Sequence, residues 1–245
     1  MTTITAAEAF DRYKAAYDAD LLTQGEWHTK KDGRHLACAL GILGKDIEGP
    51  RNCPASVMPR WLAQMVPWLF DKQKENDAKA WGMAFYAELK RLDGKVPFSV
   101  VYDWQANVVS PVAIEVAIKR SKDPAPHVAH QAIHARALAG DIAPKEEWVK
   151  ILRPAYSTVY ADAYADANVN AYPYAYANAA AYAKAAAYAF AFADAYANAF
   201  AFADAYADAN ADADADADAN ANANAIKRLA DGMVECLRRV VKEEE

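Results

Sequence analysis

Apolar positions along this chain recur mostly at helical spacing. Ala6, Phe10, Tyr13 and Tyr17 share one helix face, and Thr5 with Glu8 has the spacing of a capping box, so a helix is predicted over Thr5–Leu22. Thr23–Gly33 reads as a polar loop holding Trp27 and His28, and Arg34–Leu43 as a short apolar helix through Leu36, Leu40 and Leu43. Gly49 and Pro50 punctuate a loop over Lys45–Pro54. Ser56 is the expected cap of a helix carrying Trp61, Met65, Trp68 and Leu69, kinked by Pro67. Asp77–Leu92 lines up Trp81, Phe85, Leu89 and Leu92, and Asp93–Gly94 stops it. Val96–Val109 is apolar and β-branched, a weaker helix. Ser110 and Pro111 have the chemistry of an N-cap and first position for Val112–Arg120. A two-proline loop over Lys122–Pro126 leads to a helix over His127–Ala139 and then one over Pro144–Leu152 around Trp148. Ile226, Leu229, Met233, Leu237, Val240 and Val241 form the stripe of a closing helix that packs back on the body.

Between these parts the period changes. From Tyr160 to Ala225 every odd position is Ala except Val169 and Pro173, and the even positions are Tyr, Phe, Asp or Asn apart from Ala180, Lys184 and Ala186. A slipping six-base DNA repeat accounts for the origin of such a run, but not for how it folds. On a strand, alternation would put every aromatic on the same face as every Asp. At about 100° per residue, Tyr160, Tyr164, Tyr174, Tyr182, Phe192, Tyr196 and Phe200 cluster on one side while Asp162, Asp166, Asp194 and Asp208 lie on the other, with Asp204 at the edge; Tyr172, Tyr176, Phe190 and Phe202 break the rule. Helices broken near Asn168–Pro173 are therefore expected. Asn210–Asn224 holds only Ala, Asp and Asn, so it is an exposed helix extension, a long loop or a disordered segment. Nothing in the chain demands a sheet. The expected fold is all-α, a helical bundle or irregular stack of helical hairpins. The expected division is an N-terminal helical domain at 1–153, the alternating region at 154–225 and a closing amphipathic helix at 226–245.

Charge sharpens the picture. The 245 residues carry a net charge of −6, unevenly spread. Residues 1–150 hold 20 basic and 19 acidic side chains, leaving +1, while residues 151–245 hold 7 and 14, leaving −7. An acidic carboxy-terminal part without a basic stripe elsewhere argues against direct nucleic-acid binding. Three widely spaced cysteines, Cys38, Cys53 and Cys236, suit reduced thiols and a cytoplasmic location. No basic-then-apolar leader and no run of about 18–20 apolar residues is present, so no membrane association is expected.

Candidate chemistry is sparse. His127, His130 and His134 span about 60° of one helix face and are a candidate zinc site, since imidazoles at i and i+3 or i+4 can share a metal. His28, His35, Cys38 and Cys53 are a second candidate set. Asp103 and Glu115 are carboxylates among apolar neighbours, a setting that can raise a pKa. No phosphate loop, nucleophile elbow or His-Glu-x-x-His motif occurs, so the chain is read as an enzyme only if the histidines hold metal. The acidic positions Asp194, Asp204, Asp208, Asp212, Asp214, Asp216 and Asp218, beside exposed aromatics, form a candidate surface for a protein partner with a basic face.

The layout of an apolar segment at Arg34–Leu43, the alternating run Tyr160–Ala225 and the closing helix Ile226–Val241 resembles an Ala-rich class of bacterial immunity proteins associated with polymorphic toxins. That resemblance is one of composition and carries over no functional residue. It implies a non-catalytic, cytoplasmic inhibitor of another protein, and phage inhibitors of host systems fit equally. A metal-dependent enzyme or metal-stabilised protein centred on His127, His130 and His134 is the first alternative. An acidic nucleic-acid mimic, with Asp212–Asp218 as its carboxylate row, is the second.

Overall fold

The computed structural model describes residues 4–119, 121–152, 154 and 215–241. Among them the fold is all-α apart from one two-stranded hairpin. The helices are α1 (Ala6–Asp18), α2 (Arg60–Asp71), α3 (Glu75–Arg91), α4 (Ser99–Trp104), α5 (Ser110–Lys119), α6 (Ala125–Leu138), α7 (residues 145–152) and α8 (Ala215–Arg239). Tertiary contacts divide the chain into one unit of Met1–Val100 with Ile226–Glu245 and another of Val101–Ala225. The division falls inside the stretch read from sequence as one N-terminal domain, and the closing helix belongs with the first unit.

In the first unit, α1 starts where the capping box placed it. The Thr5 hydroxyl accepts from the Glu8 N–H, and the Glu8 carboxylate accepts from the Thr5 N–H at 2.7 Å. α1 packs on α3 through Tyr13, whose ring stacks on Tyr86 with centroids 4.9 Å apart. Gly82 makes that approach feasible, because a Cβ there would lie 2.1 Å from the Tyr13 hydroxyl oxygen. Acidic residues in the first turn of α3 (Glu75, Asp77) and basic ones in its last (Lys90, Arg91) complement its dipole. It ends at Asp93 and Gly94, both at positive φ. The stripe of α8 is buried at Ile226, Leu229, Met233 and Leu237. Trp81 Nε1 donates to the Ala230 carbonyl at 2.8 Å. Arg91 donates to the Leu237 and Val240 carbonyls, capping the end of α8. The helix stops at Arg239, so Val240 and Val241 leave the stripe, and Val241 is 85% exposed.

Three local expectations are corrected. Thr23–Gly33 and Arg34–Leu43 are not a loop and a helix. They hold β1 (His28–Lys31) and β2 (Arg34–Ala37), paired antiparallel with Lys31 opposite Arg34, followed by a 3-10 turn at Gly41–Leu43. Asp32 and Gly33, at φ 51° and 75°, form the two-residue hairpin turn that left-handed backbone permits. Ser56 does not cap α2. Its hydroxyl donates to the Ile4 carbonyl at 2.6 Å, and Pro59 precedes the helix instead.

The third correction lies in the second unit. Ser110 and Pro111 do not begin a helix. Ser110 has helical φ and ψ of −61° and −42°, and the chain runs without interruption from α4 through a π-helical turn at Gln105–Val109 into α5. In that wide turn the Ser110 N–H donates to the Gln105 carbonyl, five residues back. The next residue in the same register would donate to Ala106, but Pro111 has no N–H. The Ala106 carbonyl instead accepts from Gln131 Nε2 of α6 at 2.9 Å.

Candidate functional site

The π turn faces α6, and the two enclose a buried polar seam. α6 starts after Pro124, with Pro126 in its first turn where a missing N–H costs nothing, and ends at Gly140, whose φ is 89°. Its buried face consists of His127, His130, Ile133, His134 and Ala137, so the spacing that put three imidazoles on one face also turned that face inward. His130 Nδ1 and Ser110 Oγ are hydrogen-bonded at 2.8 Å, and the His130 and His134 ring centroids are 4.6 Å apart. His134 meets Trp148 of α7 edge-on at 4.9 Å, and Tyr102 of α4 stacks on Trp148 at 6.2 Å. Beside them Gln105 is wholly buried, with neither amide atom hydrogen-bonded. Such a group costs roughly 1–3 kcal/mol unless water meets it.

The three histidines are therefore brought together, but as part of a packed seam. Among the described residues no group of three His, Cys, Asp or Glu side chains is placed to hold a metal ion. The second metal set is dispersed. His28 Nε2 contacts the Ile47 carbonyl at 3.1 Å, Cys38 is buried with the Gly41 N–H on its sulfur, and His35 is exposed on β2. Burial pushes the Cys53 thiol up to about 12, and burial likewise raises the Cys38 thiol. Neither is poised as a thiolate.

Of the two singled-out carboxylates, Asp103 accepts from Asn107 Nδ2 at 2.7 Å near the π turn. Glu115 sits on the exposed side of α5. Of the acidic surface, Asp194, Asp204, Asp208, Asp212 and Asp214 lie outside the described residues. Asp216 and Asp218 stand on α8, whose helical backbone separates positions two apart by about 200°. The sequence reading missed Gln105, Ser110 and Gln131. The available signal was a Ser-Pro pair inside an unbroken apolar stretch, with a glutamine on the facing helix.

Among the described residues no helix is long and apolar enough to cross a membrane. No protein-family model, no curated protein and no solved structure matches the chain.

Proposed function

We propose that this chain is a non-catalytic protein that binds another protein and blocks it, using the acid-rich carboxy-terminal part as its contact surface. The observation that carries the reading is the charge division: −7 over residues 151–245 against +1 over residues 1–150. A field of one sign confined to one part of a chain steers a partner of the opposite sign and adds specificity. The first eleven residues of α8, Ala215–Ala225, hold only Ala, Asp and Asn, so that stretch has no large apolar group to bury. An immunity-like or anti-host role follows from the resemblance in layout, and the blocked protein then carries a basic face.

The test is capture on immobilised full-length chain from a lysate at about 50 mM salt, repeated at about 500 mM. A defined partner held at low salt and released at high salt is the expected result, because exposed charges more than a Debye length apart are screened. Capture that is indifferent to salt, or no capture at either, contradicts the reading.

A further inference from the structure

We propose that Asp32, at the tip of the β1–β2 hairpin, is a site of spontaneous backbone modification, where the chain isomerises to isoaspartate through a cyclic imide formed with Gly33. Asp-Gly occurs three times in the sequence, at 32–33, 93–94 and 231–232. In each pair the glycine nitrogen lacks the shielding that a Cβ would give it against the preceding carboxyl group. The dipeptide itself does not rank the three, so their surroundings do.

Two of the pairs have nearly the same backbone. Asp32 and Gly33 have φ of 51° and 75°, and Asp93 and Gly94 have φ of 51° and 71°. Their environments are opposite. Gly94 is buried, its N–H donates to the Leu89 carbonyl at 2.9 Å, and its carbonyl accepts from the Val96 N–H at 3.1 Å. A Cβ on Gly94 would lie 2.5 Å from the Ser56 carbonyl oxygen, so this backbone has no room to turn. Asp231 and Gly232 lie inside α8, where the helix ladder takes the Gly232 N–H, and the Asp231 carboxylate is 2.8 Å from Lys227 Nζ. At the hairpin tip, Asp32 and Gly33 are both exposed. Chain neighbours aside, no atom lies within 4 Å of where a Gly33 Cβ would stand, and among the described residues the Gly33 N–H donates to no group. Only two strands of four residues hold this turn, and such a ribbon opens locally at less cost than a packed helix end.

The reaction needs no co-reactant but water. In the opened turn the Gly33 nitrogen attacks the carboxyl carbon of the Asp32 side chain. The amide hydrogen and the carboxyl hydroxyl leave as one water, and a five-membered imide closes. Water then adds to either imide carbonyl. Cleavage at the former side-chain carbonyl restores aspartate. Cleavage at the former main-chain carbonyl leaves the backbone running through the side chain, with the same mass and net charge but one more methylene in the chain. A two-residue turn sets Lys31 opposite Arg34, so the added methylene unpairs β1 and β2 at the tip.

The test is to store the full chain near neutral pH at body temperature for several weeks. Isoaspartate is followed by methyl transfer from S-adenosylmethionine with an isoaspartate-specific methyltransferase, and sites are assigned by electron-transfer fragmentation of peptides. In the folded chain, isoaspartate is expected at position 32 at least about tenfold faster than at 93 or 231. In chain unfolded by urea, the three sites are expected to react within about threefold of one another, because protection goes with the fold. Asp32→Glu removes the signal from its peptide, since the longer side chain has to close a six-membered ring. Equal rates at 32 and 93 in the folded chain overturn the proposal. So does an absence of isoaspartate at 32, a spread of rates in urea as wide as in the folded chain, or a signal that survives Asp32→Glu.

Discussion

Gln131 stands in for an amide that Pro111 lacks. Its Nε2 donates to the Ala106 carbonyl, the acceptor that the π register assigns to residue 111. The proline therefore does not end the helix. It hands one hydrogen bond to α6, and that bond ties the wide turn to the histidine face.

This exchange predicts a coupled pair. Gln131→Leu leaves the Ala106 carbonyl without its donor and lowers stability by about 1–3 kcal/mol. Pro111→Ala in that background returns an N–H to the helix and recovers much of the loss. Urea unfolding of the two single variants and the double variant measures the coupling, and strictly additive effects would show that the two groups do not share the carbonyl.

Gly82→Ala is expected to destabilise strongly, although Ala is the better helix former. Its Cβ would lie 2.1 Å from the Tyr13 hydroxyl oxygen and 2.3 Å from the ring carbon bearing it, so α1 and α3 must separate. A loss of about 2–4 kcal/mol is predicted, in the range of overpacked cores. Adding Tyr13→Ala relieves the clash, so the double variant is less destabilised than the sum of the two single changes. Thermal melts of the three variants decide it.

Acid sensitivity comes in part from the capping box. Hydrogen bonds from the Thr5 N–H and then the Thr5 hydroxyl hold Glu8 below its ordinary 4.5. A carboxylate lowered in the folded chain contributes stability that is full above its unfolded pKa and is lost as pH falls through the lower folded value. Glu8→Gln therefore narrows the difference in stability between pH 6 and pH 3. Denaturant midpoints of both chains at the two pH values measure it, and an unchanged difference would contradict the role of the carboxylate.

Cysteine labelling tests the first unit. Burial pushes the Cys53 thiol up to about 12, so much less of it is thiolate at pH 8 than in an ordinary cysteine, and the buried Cys38 thiol is raised too. Iodoacetamide should modify the native chain far more slowly than the unfolded one. Rapid native labelling at Cys53 would show that this loop opens.

Local signals with local consequences were legible in the sequence. Thr5 and Glu8 fixed the start of α1, Asp93–Gly94 the end of α3 and Gly140 the end of α6, because each acts within one turn of its own backbone. Asp32–Gly33 has hairpin-turn chemistry, but the sequence reads there as a polar loop followed by a helix, because Leu36, Leu40 and Leu43 fall at helical spacing. Ser110–Pro111 carried the chemistry of a helix start, yet its role was set by Gln131 and His130 on another helix, which no local rule can see. Ser56 was diverted in the same way, to the Ile4 carbonyl. At the candidate site, helical spacing grouped the three histidines but could not say that their face is buried. The acidic surface was legible as charge alone, and most of it lies outside the described residues.

The most direct test of the protein-binding account is to titrate salt against partner affinity for two chains. One is native, and the other carries Asn at positions 194, 204, 208, 212, 214, 216 and 218. Native affinity is expected to fall steeply as salt rises, while the neutralised chain binds at least tenfold more weakly at about 50 mM and shows a flatter slope. Equal affinity and equal slope for the two chains would contradict it.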